Sequence, residues 1–290
     1  MAITFDDLPG VLLPEEGSAE LATLTDRLVG VLAAQRIPAI GFVNSGKLAP
    51  DGTVNPGRVA LLRRWLDAGL ELGNHTYSHC DLHAVGLEAF EADVVRGEET
   101  LRPLLEARGL ALRYFRHPFL HTGRSLETRR ALEAFLRRRG YRVAPVTVDN
   151  SDWIFARAYA RARSRGDAGA AQAVAEAYVP YMLEKVLYFR RQSAALFGRE
   201  IPQILLVHAS GLNADRFGDL ARGLRAQGYE FVSLGRALED PAYGSPDTFL
   251  GPGGISWLHR WALTRGKSFV LPDEPRAPRV VMEASGVSEE

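Results

Sequence analysis

The sequence predicts an α/β fold in which a mainly parallel sheet closes into a (β/α) barrel. Short apolar segments alternate with amphipathic helical segments along most of the chain, which is the pattern of repeated βα units. About seven apolar segments occur, a number that suits a barrel. In addition, polar and chemically active residues directly follow several of these segments, as they do at the mouth of such barrels.

The individual elements follow from hydrophobic periodicity and from the residues that end helices. Strands are predicted at residues 2–5, 39–43, 70–73, 112–115, 141–148, 204–207 and 231–234. Helices are predicted at 22–35, 59–68, 87–108, 126–139 and 214–227. Several of these helices end next to a glycine, the residue that most readily terminates a helix.

Two parts of the chain lie outside the repeated units. Residues 154–203 form an unusually long connection that is predicted to be a helical insertion. Its larger side chains recur at three-to-four spacing, so they either cover one edge of the mouth or pack on the outside of the barrel. We therefore expect a barrel at residues 1–240 and a C-terminal extension at 241–290. The extension should contain a short helix at 255–264 and a poorly ordered last part after residue 272.

Composition restricts the class of partner. The chain has 290 residues, 46% of them hydrophobic, with 35 basic and 35 acidic side chains. This balance gives no global field that would draw the protein to nucleic acid or an anionic membrane, so a glycan or another neutral molecule fits better. No apolar run approaches the roughly 20 residues of a membrane span. Cys80 is the only cysteine, which excludes an internal disulfide. We expect a periplasmic or secreted protein whose export signal is not in this chain, and we predict no oligomeric state.

The most informative motif is His75-Thr76-Tyr77-Ser78-His79, taken together with Asp6-Asp7. Imidazoles four residues apart fall on one side of a helical turn, so we expect both to reach one cation. An aspartate from the end of the first strand completes a His-His-Asp set, which leaves coordination positions free for water and substrate. Each signal is weak alone, because histidine pairs occur in loops and an aspartate after a strand often caps a turn.

Arg116-His117-Pro118-Phe119 follows the fourth predicted strand. We expect the guanidinium of Arg116 to form a bidentate pair with Asp6 and to hold that base in place. Because Pro118 fixes the turn, the backbone N–H of Phe119 is expected to point into the site as an oxyanion donor.

Two more strand ends carry candidate residues. His208 ends the sixth strand, and an aspartate beside it would keep the imidazole protonated as a general acid. The segment Asp149-Asn150-Ser151-Asp152-Trp153 supplies such an aspartate, although Asp149 or Asp152 equally fits the N-cap of the next helix. Trp153 would add an apolar wall.

These five segments, in this order, resemble the motifs of the polysaccharide deacetylases with the NodB homology domain, carbohydrate esterase family 4. The matching residues are 4–7, 75–79, 116–119, 149–153 and 206–208. The chain departs from the family pattern at Leu8, where glycine is usual, at Phe119, where tyrosine is common, and in the long insertion. These departures concern the substrate range and leave the catalytic groups intact.

The resemblance implies a distorted (β/α)7, TIM-like barrel that binds Zn²⁺, or another divalent transition metal such as Co²⁺, through Asp7, His75 and His79. It further implies roles for seven other residues: Asp6 as general base, His208 as general acid, Arg116 orienting Asp6, Asp152 tuning His208, and Phe119, Trp153 and Leu206 in contact with the substrate.

The predicted function is therefore a metal-dependent hydrolase that removes N-acetyl groups from a polysaccharide or oligosaccharide containing N-acetylglucosamine and releases acetate. One alternative is a zinc amidase or esterase of the same fold that acts on a non-glycan amide or on acetyl esters of xylan. The other is a glycan-binding barrel without catalysis, against which the intact set of candidate residues argues.

Overall fold

The computed structural model describes residues 1–13, 17–267 and 273–289. In these ranges six parallel strands form one curled sheet in the order β5-β4-β3-β2-β1-β6. The strands are β1 Ala2–Leu8, β2 Ala39–Val43, β3 Glu71–Asn74, β4 Tyr114–Phe115, β5 Arg142–Val143 and β6 Ile204–His208. Because all six strands run in the same direction, their carboxyl ends lie at one edge of the sheet, which forms the mouth.

Helices connect the strands, as the periodicity predicts. They are α1 Ser18–Ala34, α2 Pro56–Asp67, α3 Leu82–Val85, α4 Leu87–Glu106, α5 Leu126–Arg138, α6 Asp152–Ser164, α7 Ala168–Phe197, α8 Gly211–Ala226, α9 Leu234–Ala237, α10 Trp257–Thr264 and α11 Arg279–Ser285. The six helices predicted with defined limits are confirmed, with each end within about one turn. No helix in the described ranges combines the length and apolar character that a membrane crossing requires.

The core fixes the position of β1, the central strand of the site. The ring of Phe5 in β1 packs edge-on against Trp65 of α2, with ring centroids 5.6 Å apart, and against Phe217 of α8, at 5.1 Å. All three side chains are buried. Burial of aromatic side chains of this size contributes strongly to stability, so the end of β1 has a firm support.

The fifth predicted strand crosses the opening of the curled sheet. Arg142 and Val143 pair with β4, whereas Val148 forms an isolated bridge with Leu205 of β6 at the opposite edge. Pro145 interrupts the segment, because proline has no N–H for a ladder. Residues 142–148 therefore join the two edges of the sheet and give it the barrel character.

The seventh predicted strand, residues 231–234, is wrong. Ser233 accepts a hydrogen bond from the Arg236 N–H and so caps α9, which begins at Leu234. Only one backbone bond in this segment resembles a strand pairing, from the N–H of Val232 to the carbonyl of Met1. A strong N-terminal cap thus converts an apolar segment of strand-like composition into the start of a helix.

The insertion forms a helical layer on the outside of the barrel. The helices α6 and α7 pack against each other and against α8. The predicted stripe on α7 is buried in this layer: Val174, Tyr178, Tyr181, Lys185 and Phe189. The Tyr181 hydroxyl also accepts a hydrogen bond from the Ser151 N–H, so α7 reaches the loop after β5 as well.

The C-terminal extension is ordered in most of its described part. α10 carries the buried side chains Trp257, Arg260 and Trp261, and α11 packs on α6 with Val281 and Ser285 fully buried. Within the tail that the sequence predicts to be poorly ordered, residues 279–285 thus form a helix with a short apolar face on α6. Pro272 and Glu290, the limits of that expectation, lie outside the described residues.

Candidate active site

The end of β1 presents two adjacent carboxylates in different directions. The pairing of β1 with β2 shifts register between Phe5 and Leu8, and Asp7 has a left-handed backbone with φ 70°. Asp6 and Asp7 are both buried, with 2% and 7% of their surface exposed. The backbone is therefore irregular at the two aspartates for which the sequence predicts different roles.

His75 and His79 lie on an irregular loop after β3, so the expected helical turn is wrong. Thr76 and His79 both have positive φ, of 66° and 58°. The Asn74 side chain accepts a hydrogen bond from the Thr76 N–H at 2.8 Å, and the Thr76 hydroxyl accepts one from the His79 N–H at 3.0 Å. These side chains satisfy backbone groups that would otherwise favour a helix, and they still bring the two imidazoles together.

Asp7, His75 and His79 bring three potential metal donors together. Oδ1 of Asp7 lies 3.7 Å from Nε2 of His75 and 3.5 Å from Nε2 of His79. One ligand atom from each residue lies within 4.8 Å of the others. We call these three residues the ligand cluster. Such separations suit one cation with donors at about 2.0 to 2.2 Å.

The hydrogen bonds of the ligand cluster also fit a cation. Nδ1 of His75 lies 2.8 Å from the Arg116 carbonyl, which can only accept, so Nδ1 carries the proton and Nε2 presents a lone pair to Asp7. Oδ1 of Asp7 is buried with no hydrogen-bond partner among the described residues. Two acceptors that face each other in a buried site repel, and a divalent cation between them removes the conflict.

The electrostatics of the ligand cluster agree with this geometry. Burial lowers the pKa of His75 and of His79 to about 4, so both imidazoles are neutral at pH 7. Burial alone would raise the pKa of Asp7, but nearby positive charge, that of Lys47 first, outweighs it and lowers that pKa. Neutral imidazoles and an ionised carboxylate are the protonation states in which these residues bind a metal.

Asp6 lies between the ligand cluster and Arg116. Its Oδ2 is 3.8 Å from Nε2 of His75 and 3.8 Å from a terminal nitrogen of Arg116. The expected bidentate pair is therefore wrong: Arg116 is an ion-pair neighbour and donates instead to the Thr4 hydroxyl, at 2.8 Å. Burial raises the pKa of Asp6, although Arg116 opposes the effect. A carboxylate with a raised pKa accepts a proton more readily than an ordinary one.

His208 lies opposite, at the end of β6, in register with Asp6. Its Nδ1 is 2.7 Å from Oδ1 of Asp152, and its backbone N–H donates to Oδ2 of the same carboxylate at 2.7 Å. Burial alone would lower the pKa of His208, but the Asp152 carboxylate outweighs it and raises the pKa to about 9. Of the two aspartates in this segment, Asp152 is the one beside the imidazole, and Asp149 bonds the N–H of Asn150.

The three residues predicted to contact the substrate differ in their exposure and in their position relative to the ligand cluster and His208. Phe119 is 52% exposed, and its ring centroid lies 4.6 Å from that of His79. Leu206 is buried in β6, two residues before His208 and therefore on the same face of the strand. Trp153 is partly buried in the first turn of α6. The structure thus places Phe119 beside the ligand cluster and Leu206 on the inner face with His208.

A second His-His-Asp group lies near the mouth, but one atom of each of its residues already has another partner. Asp81, His83 and His121 each have a ligand atom within 4.8 Å of the others. However, His121 Nδ1 lies 2.7 Å from the Asp81 carboxylate, and the Gly123 N–H donates to Nε2 of His83 at 3.2 Å. The two rings are stacked with centroids 4.0 Å apart, so their in-plane lone pairs do not converge. This group therefore fastens loops together.

The sequence interpretation missed two residues. Nζ of Lys47 donates to the carbonyls of Asp7 and Gly10 at 3.3 and 3.2 Å, and lies 3.9 Å from the Asp7 carboxylate. It follows β2, so the rule that active residues follow strands would have found it. Asn213 donates to Oδ2 of Asp152 at 3.0 Å and to the His208 carbonyl at 2.8 Å. It is one turn into α8, and no sequence motif marks it.

Comparison with known proteins shows a similarity in the N-terminal part of the chain. Residues 1–138 match the family model described as polysaccharide deacetylase. This part of the chain, a little under half of its length, is similar to that family. A chitooligosaccharide deacetylase from Sinorhizobium fredii (strain NBRC 101917 / NGR234) is 32% identical over 117 residues, which cover 40% of this chain and 45% of the relative. The match thus spans less than half the length of that curated relative.

Solved structures of the deacetylase family share the fold. A chitin deacetylase from the fungal pathogen Colletotrichum lindemuthianum has a TM-score of 0.55 at 21% identity, covering 82% of this chain and 87% of that one. A family 4 carbohydrate esterase from Streptomyces lividans in complex with acetate has a TM-score of 0.51 at 21% identity, covering 80% and 90%. A CE4 family pseudoenzyme from Bacillus anthracis reaches 0.54 at 15% identity, covering 82% and 64%. The predicted barrel class is confirmed.

Proposed function

We propose that this protein is a metal-dependent hydrolase that removes N-acetyl groups from an oligosaccharide or polysaccharide containing N-acetylglucosamine. One observation carries the proposal: a ligand cluster suited to a divalent metal lies beside a carboxylate with a raised pKa, and a protonated imidazole lies opposite on the neighbouring strand. Metal-assisted amide hydrolysis uses these three elements, namely a Lewis acid, a base and an acid. The match of residues 1–138 to the polysaccharide deacetylase family model and the similarity to a chitooligosaccharide deacetylase support the substrate class.

Asp7, His75 and His79 are proposed to hold the metal, which we take to be Zn²⁺ because two imidazoles and one carboxylate form a common zinc site. A bound Zn²⁺ supplies a Lewis acid for the amide carbonyl and lowers the pKa of water. Lys47 offsets the charge of Asp7 and supports the backbone at Asp7 and Gly10. This arrangement keeps the Asp7 carboxylate ionised and in place.

The remaining residues handle protons and developing charge. Asp6 accepts a proton from the attacking water, whose oxygen bonds to the carbonyl carbon. The backbone N–H of Phe119 is proposed to donate to the carbonyl oxygen as it gains negative charge. When the C–N bond breaks, His208 gives the proton on its Nε2 to the leaving nitrogen, so the products are acetate and a free amine. Asp152 orients the imidazole through Nδ1 and stabilises its charged form.

The test measures the release of acetate and of free amine from N-acetylglucosamine oligomers and from acetylated xylan. Each substrate is assayed with the untreated protein, after treatment with a chelator, and after zinc is added back. We expect both products from the oligomers, loss of turnover after chelation, and recovery with zinc. Acetate without free amine, released from xylan alone, would favour the esterase alternative. Stoichiometric metal without hydrolysis of any substrate would favour a non-catalytic barrel, the category of the B. anthracis pseudoenzyme. We also propose that the protein is located outside the cytoplasm, because the expected polymers occur there.

A further inference from the structure

The C-terminal extension packs on the turn that carries Phe119. We call residues Pro118–Leu120 the Phe119 turn. Arg260 of α10 is 1% exposed and donates to the Leu120 carbonyl at 3.2 Å and to the Thr122 hydroxyl. A planar guanidinium binds two acceptors with fixed relative positions, so this contact sets the geometry of the chain immediately after Phe119.

The charge of Arg260 is held within the extension. Its Nε lies 2.8 Å from a carboxylate oxygen of Asp247, which also pairs with Arg129 of α5. Arg129 in turn donates to the Phe249 carbonyl at 3.2 Å. Since Arg260 is nearly buried, loss of Asp247 would leave its charge without its main partner, whereas Asp247 is shared between Arg260 and Arg129. The network therefore fixes the extension against α5 and the Phe119 turn together.

The Phe119 turn has a conformation that its own residues do not favour. Phe119 and Leu120 both have φ of 55°, in the left-handed region that non-glycine residues seldom occupy. Such strain persists only where the surroundings impose it. On the other side, the Gly123 N–H is bonded to His83, so the segment is held from both sides.

Gly254 makes a second close contact from the extension. A methyl group at this position would overlap the Phe119 carbonyl oxygen and lie 2.9 Å from Cβ of Leu120. The backbone of the extension therefore approaches the Phe119 turn as closely as the absence of a side chain allows. Gly253, the preceding residue, has no such neighbour within 4 Å.

We propose that Arg260 and Gly254, which lie outside the matched family region, position the Phe119 turn for catalysis. The extension thereby sets the direction of the Phe119 N–H and the place of its ring beside His79. The catalytic part of this inference rests on the proposed deacetylase function; the structural part, that the extension holds the turn, does not. Arg260 is a positioning residue that acts through Leu120 and Thr122.

Two matched pairs of variants test the proposal. Arg260→Met removes the contacts to the turn. Its control is Arg265→Met, which removes the arginine that follows α10 and donates to the Leu196 carbonyl at 3.0 Å. Gly254→Ala introduces the steric conflict, and its control is Gly253→Ala in the same loop. Neither glycine has positive φ, so the two alanine variants differ only in the space around the added methyl group.

The first readout is hydrogen exchange of the Leu120 and His121 amides, which donate to His117 and Pro118 at 3.1 Å. We expect exchange at least about 10-fold faster in Arg260→Met and Gly254→Ala than in either control. The second readout is steady-state kinetics at equal metal content. We expect kcat to fall about 10- to 100-fold in the two test variants, with a smaller change in KM, because the N–H of Phe119 acts on charge that develops during the reaction.

The outcomes separate the two levels of the proposal. Unchanged exchange at Leu120 and His121 in both test variants would overturn the positioning role, whatever the activity. Faster exchange with kcat equal to that of the controls would overturn the catalytic consequence. If the wild-type protein hydrolyses no substrate but the exchange result is as expected, the proposed function fails and the extension still holds the turn.

Discussion

His75 and His208 are imidazoles at the same edge of one sheet, the first buried and the second half-buried, and Nδ1 of each is hydrogen-bonded. The partner of His75 is a backbone carbonyl, whereas the partner of His208 is the carboxylate of Asp152. Burial lowers the pKa of the first to about 4, and the carboxylate raises that of the second to about 9. The same side chain thus becomes a lone-pair donor or a proton donor according to the charge of its Nδ1 partner.

This difference divides the site into two regions. The ligand cluster presents neutral imidazoles to a carboxylate, which suits a metal and not a proton. We call the second region the proton-donor network; it consists of His208, Asp152, Asn213 and Tyr178. This network holds one extra proton, on the imidazole of His208. The Tyr178 hydroxyl donates to Asn213 at 2.6 Å, and Asn213 donates to Asp152. If the division is correct, changes in one region should leave the signature of the other unaltered.

The largest effect is expected for His75→Ala. Loss of one of three ligands should reduce bound metal to near zero and lower kcat/KM by more than about 10³-fold, since the metal contributes several kcal/mol to transition-state stabilisation. Metal analysis and acetate release measure the two effects. His259→Gln is the control, because His259 is also a buried imidazole with a lowered pKa but bonds Tyr188, away from the ligand cluster. Full metal content in His75→Ala would contradict the assignment of the ligand cluster.

Asp152→Asn should act only on the proton-donor network. Without the carboxylate, burial dominates and the pKa of His208 should fall from about 9 to below its ordinary value. A general acid works only while protonated, so the loss of activity with rising pH should move to lower pH, and kcat at pH 7 should drop by about 10²- to 10⁴-fold. The kcat–pH profile and an NMR titration of His208 check this. Metal content should stay at the wild-type level, and an unchanged alkaline limb would remove His208 from the acid role.

Gly97→Ala should disturb the ligand cluster indirectly. A methyl group on this α4 residue would lie 2.6 Å from Oδ1 of Asn74, the atom that holds the Thr76 N–H. Displacement of Asn74 should loosen the loop between the two histidines, and we expect metal affinity to fall about 10- to 100-fold, as for other residues that support ligands. Competition with a chelating dye measures the affinity. Gly30→Ala in α1, with nothing within 4 Å, is the matched helical control and should not change it.

Much of this arrangement could be predicted from the sequence, and the failures have physical causes. His75 and His79 were found from their four-residue spacing, and Asp7 because it follows the end of a strand and parallel strands end at one edge. The helical turn was wrong because the side chains of Asn74 and Thr76, rather than helical bonds, satisfy the loop backbone. The four-residue spacing of the two histidines does not reveal these side-chain-to-backbone hydrogen bonds.

The missed and misjudged parts depend on long-range contacts. Arg116 was expected on Asp6 but bonds Thr4, because its direction is set by the packing inside the barrel. Asn213 could not be recognised from the sequence, since its role comes from the approach of α8 to the Asp152 carboxylate. The extension was treated as an appendage, and its contact with the Phe119 turn through Arg260 joins residues 140 positions apart. No local pattern indicates a contact of that kind.

The smallest effects should come from two tyrosines. Tyr178 belongs to the proton-donor network, and Tyr141 supports the loop of the ligand cluster through Asn74. Tyr178→Phe removes the hydroxyl that donates to Asn213, and the buried amide oxygen left behind should cost about 1 to 3 kcal/mol of unfolding free energy. Because Asn213 then holds Asp152 less firmly, the carboxylate stabilises imidazolium slightly more. The alkaline limb should therefore move to higher pH, by less than about one unit, with metal affinity unchanged.

Tyr141→Phe is the counterpart in the other region. The Asn74 side chain donates to the Tyr141 hydroxyl at 2.8 Å, so this variant should weaken metal binding by less than about 10-fold and leave the pH profile alone. Metal affinity, measured by dye competition, and the kcat–pH profile are determined for both variants, so each variant is tested for an effect on each region. If either tyrosine changed both signatures, the two regions would be coupled, and the charge of the Nδ1 partner would no longer suffice to explain why one imidazole binds metal and the other donates a proton.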